Sequence, residues 1–342
     1  MRKAIVLLLI AALALTLAAC ASSSPSNAPS ANAPATSTPP STAPSTPANS
    51  TITVGFAQCK ADESDWRIAN TKSMQEALSI ENGFNMILAD SNNDAAKQIN
   101  DVRGFIDADV DYIVIAAVNE DGWDSVLQDA KDKGIPVILV DRTVKASEDL
   151  YTCWVGADFY AEGVKATEWM KKHFGSNPVN VVNIQGQLGS GAQAGRTGAL
   201  EDAVAANGWN LVAQQTATWE LAVAKEIMQS WIQQYPEINC VYAENDGMAD
   251  GAIQALEEAG IEVGGDNGVA IISFDANRKY LQMTLEGKIN CNVECNPLLG
   301  PKVAEIINNL ENGIQPEKKE SIDEEAFYYD TIDQNTIDKR AY

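Results

Sequence analysis

The sequence predicts an α/β protein built as two doubly wound parallel-sheet lobes. Short Val/Ile-rich runs alternate with amphipathic stretches about ten times along the chain. Several runs, such as DYIVIAA at 111–117 and VAIISF at 269–274, are continuously apolar, as strands buried on both faces of a parallel sheet are. Ten strand–helix units are too many for one small domain, and a single barrel uses eight, so two lobes of five units account for them best.

The predicted strands of the first lobe are 52–57, 85–89, 111–117, 135–140 and 151–155. Those of the second are 179–184, 209–214, 239–243, 269–274 and 289–294. Helical periodicity fills the gaps at 67–80, 94–107, 121–133, 159–174, 194–206, 220–234, 247–259 and 299–312.

Before the first strand, Arg2 and Lys3 precede an apolar run and small residues up to Cys20, the layout of a secretory signal at 1–19. Leu17-Ala18-Ala19-Cys20 resembles the bacterial lipoprotein box, which makes Cys20 the lipidated first residue of an extracytoplasmic, membrane-anchored chain. Residues 21–50 carry no charge and hold 7 of the 13 prolines. Such a segment buries too little surface to offset its ordering entropy, so 20–50 reads as a lipidated Cys and a disordered tether.

The net charge of −23 argues against nucleic acid and anionic lipid as partners. Of six cysteines, five remain beside Cys20, and none forms a CxxC. The one histidine, His173, sits at a Lys-rich helix end and is expected in solvent, and a single histidine argues against a zinc site. DSNND at 90–94 lacks the Gly and terminal Glu of a calcium loop. No metal or cofactor is expected. The first strand leads into AQCKADESDW and not G-x-G-x-x-G, against a dehydrogenase.

Ligands of open α/β sheets bind beyond the carboxyl ends of the strands. That rule selects Asp90, Asp141-Arg142, Asn245-Asp246, Asp275 and Glu294, polar groups that two facing lobes would aim into one cleft.

The blocks around these residues resemble type I periplasmic binding proteins of the ribose/galactose group, the sugar-capturing components of ABC importers, and within them the galactofuranose-binding type. The resemblance spans Thr51 to Tyr342. It rests on VGFAQ..ES.WR at 54–67, GW at 122–123 with AKDKGIPVILVDR to 142, the run ending at Arg196, VYAENDGMADGAIQALEEAG at 241–260, SFD at 273–275 and NVE at 292–294. It implies three crossings between lobes, near Gly156-Ala157, Glu294-Cys295 and residues 324–327. Lobe one is then 51–156 plus 295–324, and lobe two 157–294 plus 325–342.

The resemblance also implies the site. Trp66 and Trp219 sandwich the sugar's CH face. Asp141 and Asp275 accept from hydroxyls, Arg142 and Arg196 donate, and Asn245 does both. Arg67 reaches a hydroxyl or orients an acid. Asp90 is a contact or a loop residue, Glu294 a contact or a hinge residue, and Asp246 a helix cap beside the contact Asn245. The implied partners are a monosaccharide and a membrane permease, with the protein a monomer. Cys153 and Cys295, on neighbouring hinge segments, are a candidate disulfide. Two other functions compete: a sugar sensor with the same cleft, and a glycosidase using two of its acids.

Overall fold

The structure is a computed structural model, described here for residues 51–342. The signal, Cys20 and the tether lie outside the described residues. Two six-stranded sheets form the body. The first holds β1 (Ile52–Gln58), β2 (Phe84–Asp90), β3 (Tyr112–Ile115), β4 (Val137–Val140), β5 (Cys153–Gly156) and β11 (Lys319–Ser321), in the order β11-β5-β4-β3-β1-β2. The second holds β6 (Asn180–Gln185), β7 (Asn210–Thr216), β8 (Cys240–Ala243), β9 (Ala270–Asp275), β10 (Cys291–Glu294) and β12 (Ala326–Tyr328), in the order β12-β10-β9-β8-β6-β7. All pairings are parallel except β10 with β12.

The central strands YIVI and VILV are buried at every position, because helices cover both sheet faces. In lobe one, Val54, Phe56, Val114 and Val303 pack on one side, and Val102, Ile113, Trp123 and Leu139 on the other. Lobe two repeats the scheme with Tyr242, Phe274 and Met170 opposite Val182, Met228 and Ile271.

The predicted helices form with local caps. Ser64 caps α1 (Asp65–Ala77), Asp94 caps α2 (Ala95–Asp107) and Asp158 caps α4 (Phe159–Phe174). Between them lies α3 (Asp124–Asp132). In lobe two, Ser190 caps α5 (Gly191–Asn207), and α6 (Leu221–Gln234) precedes α7 (Asp246–Glu258), which is capped by Asn245. Helix α9 (Gly300–Glu311) returns to lobe one, against α1.

Two strands and two α-helices were not predicted, β11, β12, α8 (Arg278–Leu285) and α10 (Gln334–Lys339), nor were the 3₁₀ turns Ile80–Asn82 and Glu148–Leu150. They are short, and the strands exist because a sheet edge awaits them. The chain passes between sheets after β5, after β10, and between β11 and β12. These three crossings bring the carboxyl ends of both sheets face to face.

Two expectations fail. Cys153 and Cys295 are both free thiols: Cys153 is buried in the core between its sheet and α9, while Cys295 lines the interlobe cleft. His173 is half-buried, its ring stacked on Trp169 at 4.5 Å, because an amphipathic imidazole at a helix end covers apolar surface as readily as it enters water.

Candidate functional site in the interlobe cleft

A small cavity lies between the lobes. Trp66, Arg67, Asp141, Arg142, Arg196, Trp219, Asn245 and Asp275 all line it.

Lobe one contributes a compact ionic knot. Ser64 starts α1 so that Trp66 and Arg67 fall in its first turn, over the end of β1. Arg67 Nη2 donates to Asp141 Oδ2 at 2.5 Å. Arg142 Nη2 donates to Glu63 Oε2 at 2.9 Å, and Arg67 Nε lies 3.5 Å from the same oxygen. Each of these four side chains is at most 5% exposed. Asp141 follows β4 with φ +61°, and the Trp154 indole N–H holds its carbonyl at 3.0 Å.

Lobe two contributes Arg196 from α5. Its Nε donates to Glu162 Oε2 at 2.7 Å, its Nη1 to the Glu244 carbonyl, and its Nη2 faces Asp275 Oδ1 at 3.8 Å. Its guanidinium carbon lies 4.8 Å from the Phe274 ring centroid. Asp275 ends β9 with φ +100°, a backbone state that side chains rarely adopt and that clusters at binding sites. Burial pushes its carboxyl well above the usual range, although Arg196 opposes the shift.

The two tryptophans are held differently. Trp66 donates its N–H to the Cys295 carbonyl at 2.6 Å, across the second crossing, and the Arg67 guanidinium lies 4.5 Å from its ring. Trp219 stands at φ +71° in the β7–α6 turn, with Arg142 of the other lobe 5.6 Å from its ring. Gly186 is required beneath it, because a Cβ there would lie 1.9 Å from the indole. The Trp219 N–H is buried without a partner, as are Arg67 Nε and Nη1 and Arg142 Nη1. Four buried donors at one cavity are costly to leave unpaired, so the arrangement calls for a ligand rich in acceptors.

Two selected residues lie elsewhere. Asp90 is exposed, with Oδ1 accepting from Asn92 N–H at 2.9 Å and Oδ2 from Ala61 N–H at 3.2 Å. A strand-end acid that folds back onto its own turn has the same position in the chain as one that faces the cleft. Glu294 belongs to the hinge, where its carboxylate takes Glu325 N–H, Arg340 and the Tyr342 hydroxyl. The cap of α7 is Asn245, whose Oδ1 accepts from Met248 N–H at 2.8 Å, and not Asp246. Asp246 is buried instead among Ser273, Asn277 and Asn292, and burial pushes its carboxyl up to about 7.

Glu63, Glu162 and Glu244 were missed. Glu63 had a signal, standing four residues before Arg67 at a helix start, whereas Glu162 looks like any polar position of an amphipathic helix. Glu162, Cys295 and Glu324 bring possible metal-ligand atoms within 4.8 Å of one another. Glu162 is paired with Arg196, and burial beside Glu162 pushes Glu324 up to about 10.

A model of the periplasmic binding protein domain family matches residues 54–313. The chain is 34% identical over 273 residues to the galactofuranose-binding protein of Escherichia coli strain K12, covering 78% of this chain and 85% of that one. A solved protein from Mycobacterium smegmatis in complex with β-D-fucofuranose shares 37% identity at a TM-score of 0.78, covering 82% and 92% of the two chains. The periplasmic binding component of the arabinose ABC transporter from Shewanella sp. ANA-3, bound to α- and β-L-arabinofuranose, shares 31% identity at a TM-score of 0.79, covering 85% and 96%.

Proposed function

Because the chain belongs to the periplasmic binding protein domain family, we propose that it captures a monosaccharide between its lobes outside the cytoplasmic membrane and hands it to an ABC permease. The observation that carries this reading is the set of four unpartnered buried donors on Arg67, Arg142 and Trp219, facing the acceptors Asp141 and Asp275 in one small cavity. Adjacent sugar hydroxyls both donate and accept, so they answer both sets at once. Charge-assisted bonds contribute roughly 1.5–3 kcal/mol each, and a handful reach the ~8 kcal/mol of micromolar binding after ordering costs. The furanose ligands of the related proteins support a five-membered ring as the bound form.

The acids of the cleft serve binding and not hydrolysis. Asp141 is committed to Arg67, and Asp275 faces Arg196. A ligand touching Arg142 and Arg196 together stabilises the state in which the lobes meet, the form a permease reads.

A thermal-shift screen of pentoses and hexoses, including methyl furanosides, tests the proposal. A binder raises the melting temperature by mass action. Failure of every neutral monosaccharide to do so sinks it, and turnover of an aryl glycoside would reassign the cleft to catalysis. For the anchor we place lipid on Cys20, and Cys20→Ser should move the protein from the membrane fraction to the soluble one.

A further inference from the structure

We infer that the cleft has a second compartment, seating the exocyclic arm of the bound sugar and selecting a neutral, hydroxylated arm over an anionic one. The inference rests on the monosaccharide reading above and adds which sugars fit.

A second cavity of about 170 Å³ adjoins the first and shares Glu63, Ser64, Trp219, Asn245 and Asp275 with it. One ligand can therefore occupy both. The wall between them carries the Trp219 indole, whose N–H has no partner in the protein. The far wall is built by Asp65, Glu220, Leu221, Gly247, Asn277 and Tyr280. Lobe one supplies Asp65 and lobe two the rest, so the compartment is complete only when the lobes meet. Two contacts close its rim: the Tyr280 hydroxyl donates to Asp65 Oδ2 at 3.3 Å, and Lys60 Nζ donates to Glu220 Oε1 at 3.1 Å.

The polar groups define the arm. Four of the lining residues are acids and none is basic. All three cleft arginines line the first cavity and none lines the second. The two nearby lysines are already engaged, Lys60 by Glu220 at 3.1 Å and Lys279 by Asp250 at 2.8 Å. A carboxylate or phosphate on the arm would therefore meet acceptors and no unpaired cation, whereas a hydroxyl donates to Asp65 or Glu220 and accepts from Trp219. Gly247, in the first turn of α7, leaves the space open: a Cβ there meets nothing nearer than the Asn245 Oδ1 at 3.8 Å.

The test is calorimetric titration of four sugars with one ring stereochemistry and different arms: L-arabinose, D-fucose, D-galactose and D-galacturonate. The wild-type protein should bind D-galactose about tenfold more tightly than L-arabinose, one good hydrogen bond's worth. D-galacturonate should not bind. Gly247→Leu fills the compartment on a helix that favours leucine, so D-galactose should lose at least ~10-fold while L-arabinose changes less than ~2-fold, which also shows that the variant folds. The double variant Asp65→Asn, Glu220→Gln should admit D-galacturonate. Equal losses for D-galactose and L-arabinose, no loss for either, or wild-type binding of D-galacturonate at the D-galactose level would each overturn the compartment and leave the monosaccharide site standing. Failure of all four sugars and of the wider neutral screen would remove the monosaccharide reading, and the compartment with it.

Discussion

The two lobes share one plan and balance buried charge differently. Both sheets run in the same relative order, and corresponding turns match closely. After β2, Asn92 and Asn93 take φ +50° and +59°, and after β7, Thr218 and Trp219 take +51° and +71°. Asp90 holds the first turn through Asn92 N–H, as Thr216 holds the second through Thr218 N–H. Asp141 after β4 and Asp275 at the end of β9 are both left-handed. Lobe one then balances two arginines with two acids. Lobe two buries Glu162, Glu244, Asp246 and Asp275 around a single buried arginine, and burial pushes Glu244 and Asp246 each up to about 7. Lobe one gives each buried acid an arginine, whereas lobe two sets four buried acids around one, and burial there raises Glu244, Asp246 and Asp275.

The sharpest way to break this comparison is the ionic knot. Arg142→Ala leaves Glu63 without its close partner and removes a ligand donor, so affinity for D-galactose should fall by about 10³ or more. Asp141→Ala should do the same by stranding Arg67. Titration calorimetry with circular dichroism checks both, and unchanged affinity in a folded variant would refute the site.

In lobe two, Glu162→Ala leaves Arg196 buried and underpaired, at a cost of about 3–5 kcal/mol in chemical denaturation. A smaller effect should come from pH. Glu244 holds its proton more tightly when folded, so its contribution to stability is complete below about pH 4.5, declines as pH rises toward 7, and is gone above it. The decline is at most on the order of 3 kcal/mol. Denaturation from pH 4 to 8 should slope less for Glu244→Gln than for wild type, and equal slopes would place the proton elsewhere.

Gly186→Ala should push the Trp219 ring aside and weaken D-galactose binding by roughly tenfold, the value of about one aromatic contact. The smallest effect belongs to Asp90→Ala. It should leave affinity unchanged and cost about 1–2 kcal/mol of stability, the worth of its two exposed hydrogen bonds to Asn92 and Ala61 N–H. A large loss of affinity there would return Asp90 to the site.

Much of this was legible in the sequence because the central strands, buried on both faces, leave apolar runs, and all ten predicted strands form, the half-exposed β2 and β7 at the sheet edges included. Strand ends also pointed to Asp141, Asn245 and Asp275, since the topology of an open sheet fixes where they emerge. The remainder depended on contacts between distant segments. Three-residue strands such as β11 and β12 carry no pattern of their own. Whether an acid turns inward like Glu63 or back onto its loop like Asp90 is decided by a partner far along the chain, Arg142 in the first case and Ala61 in the second.

The thiols carry a consequence for biogenesis. All five in the described body are free and buried, and burial pushes Cys59 up to about 11, far from the thiolate that oxidation requires. Among the described residues no crosslink ties the lobes together, so each sulfur is shielded only once its lobe has condensed around it. The refolding yield of the body should therefore be the same with or without a reductant once collapse is fast.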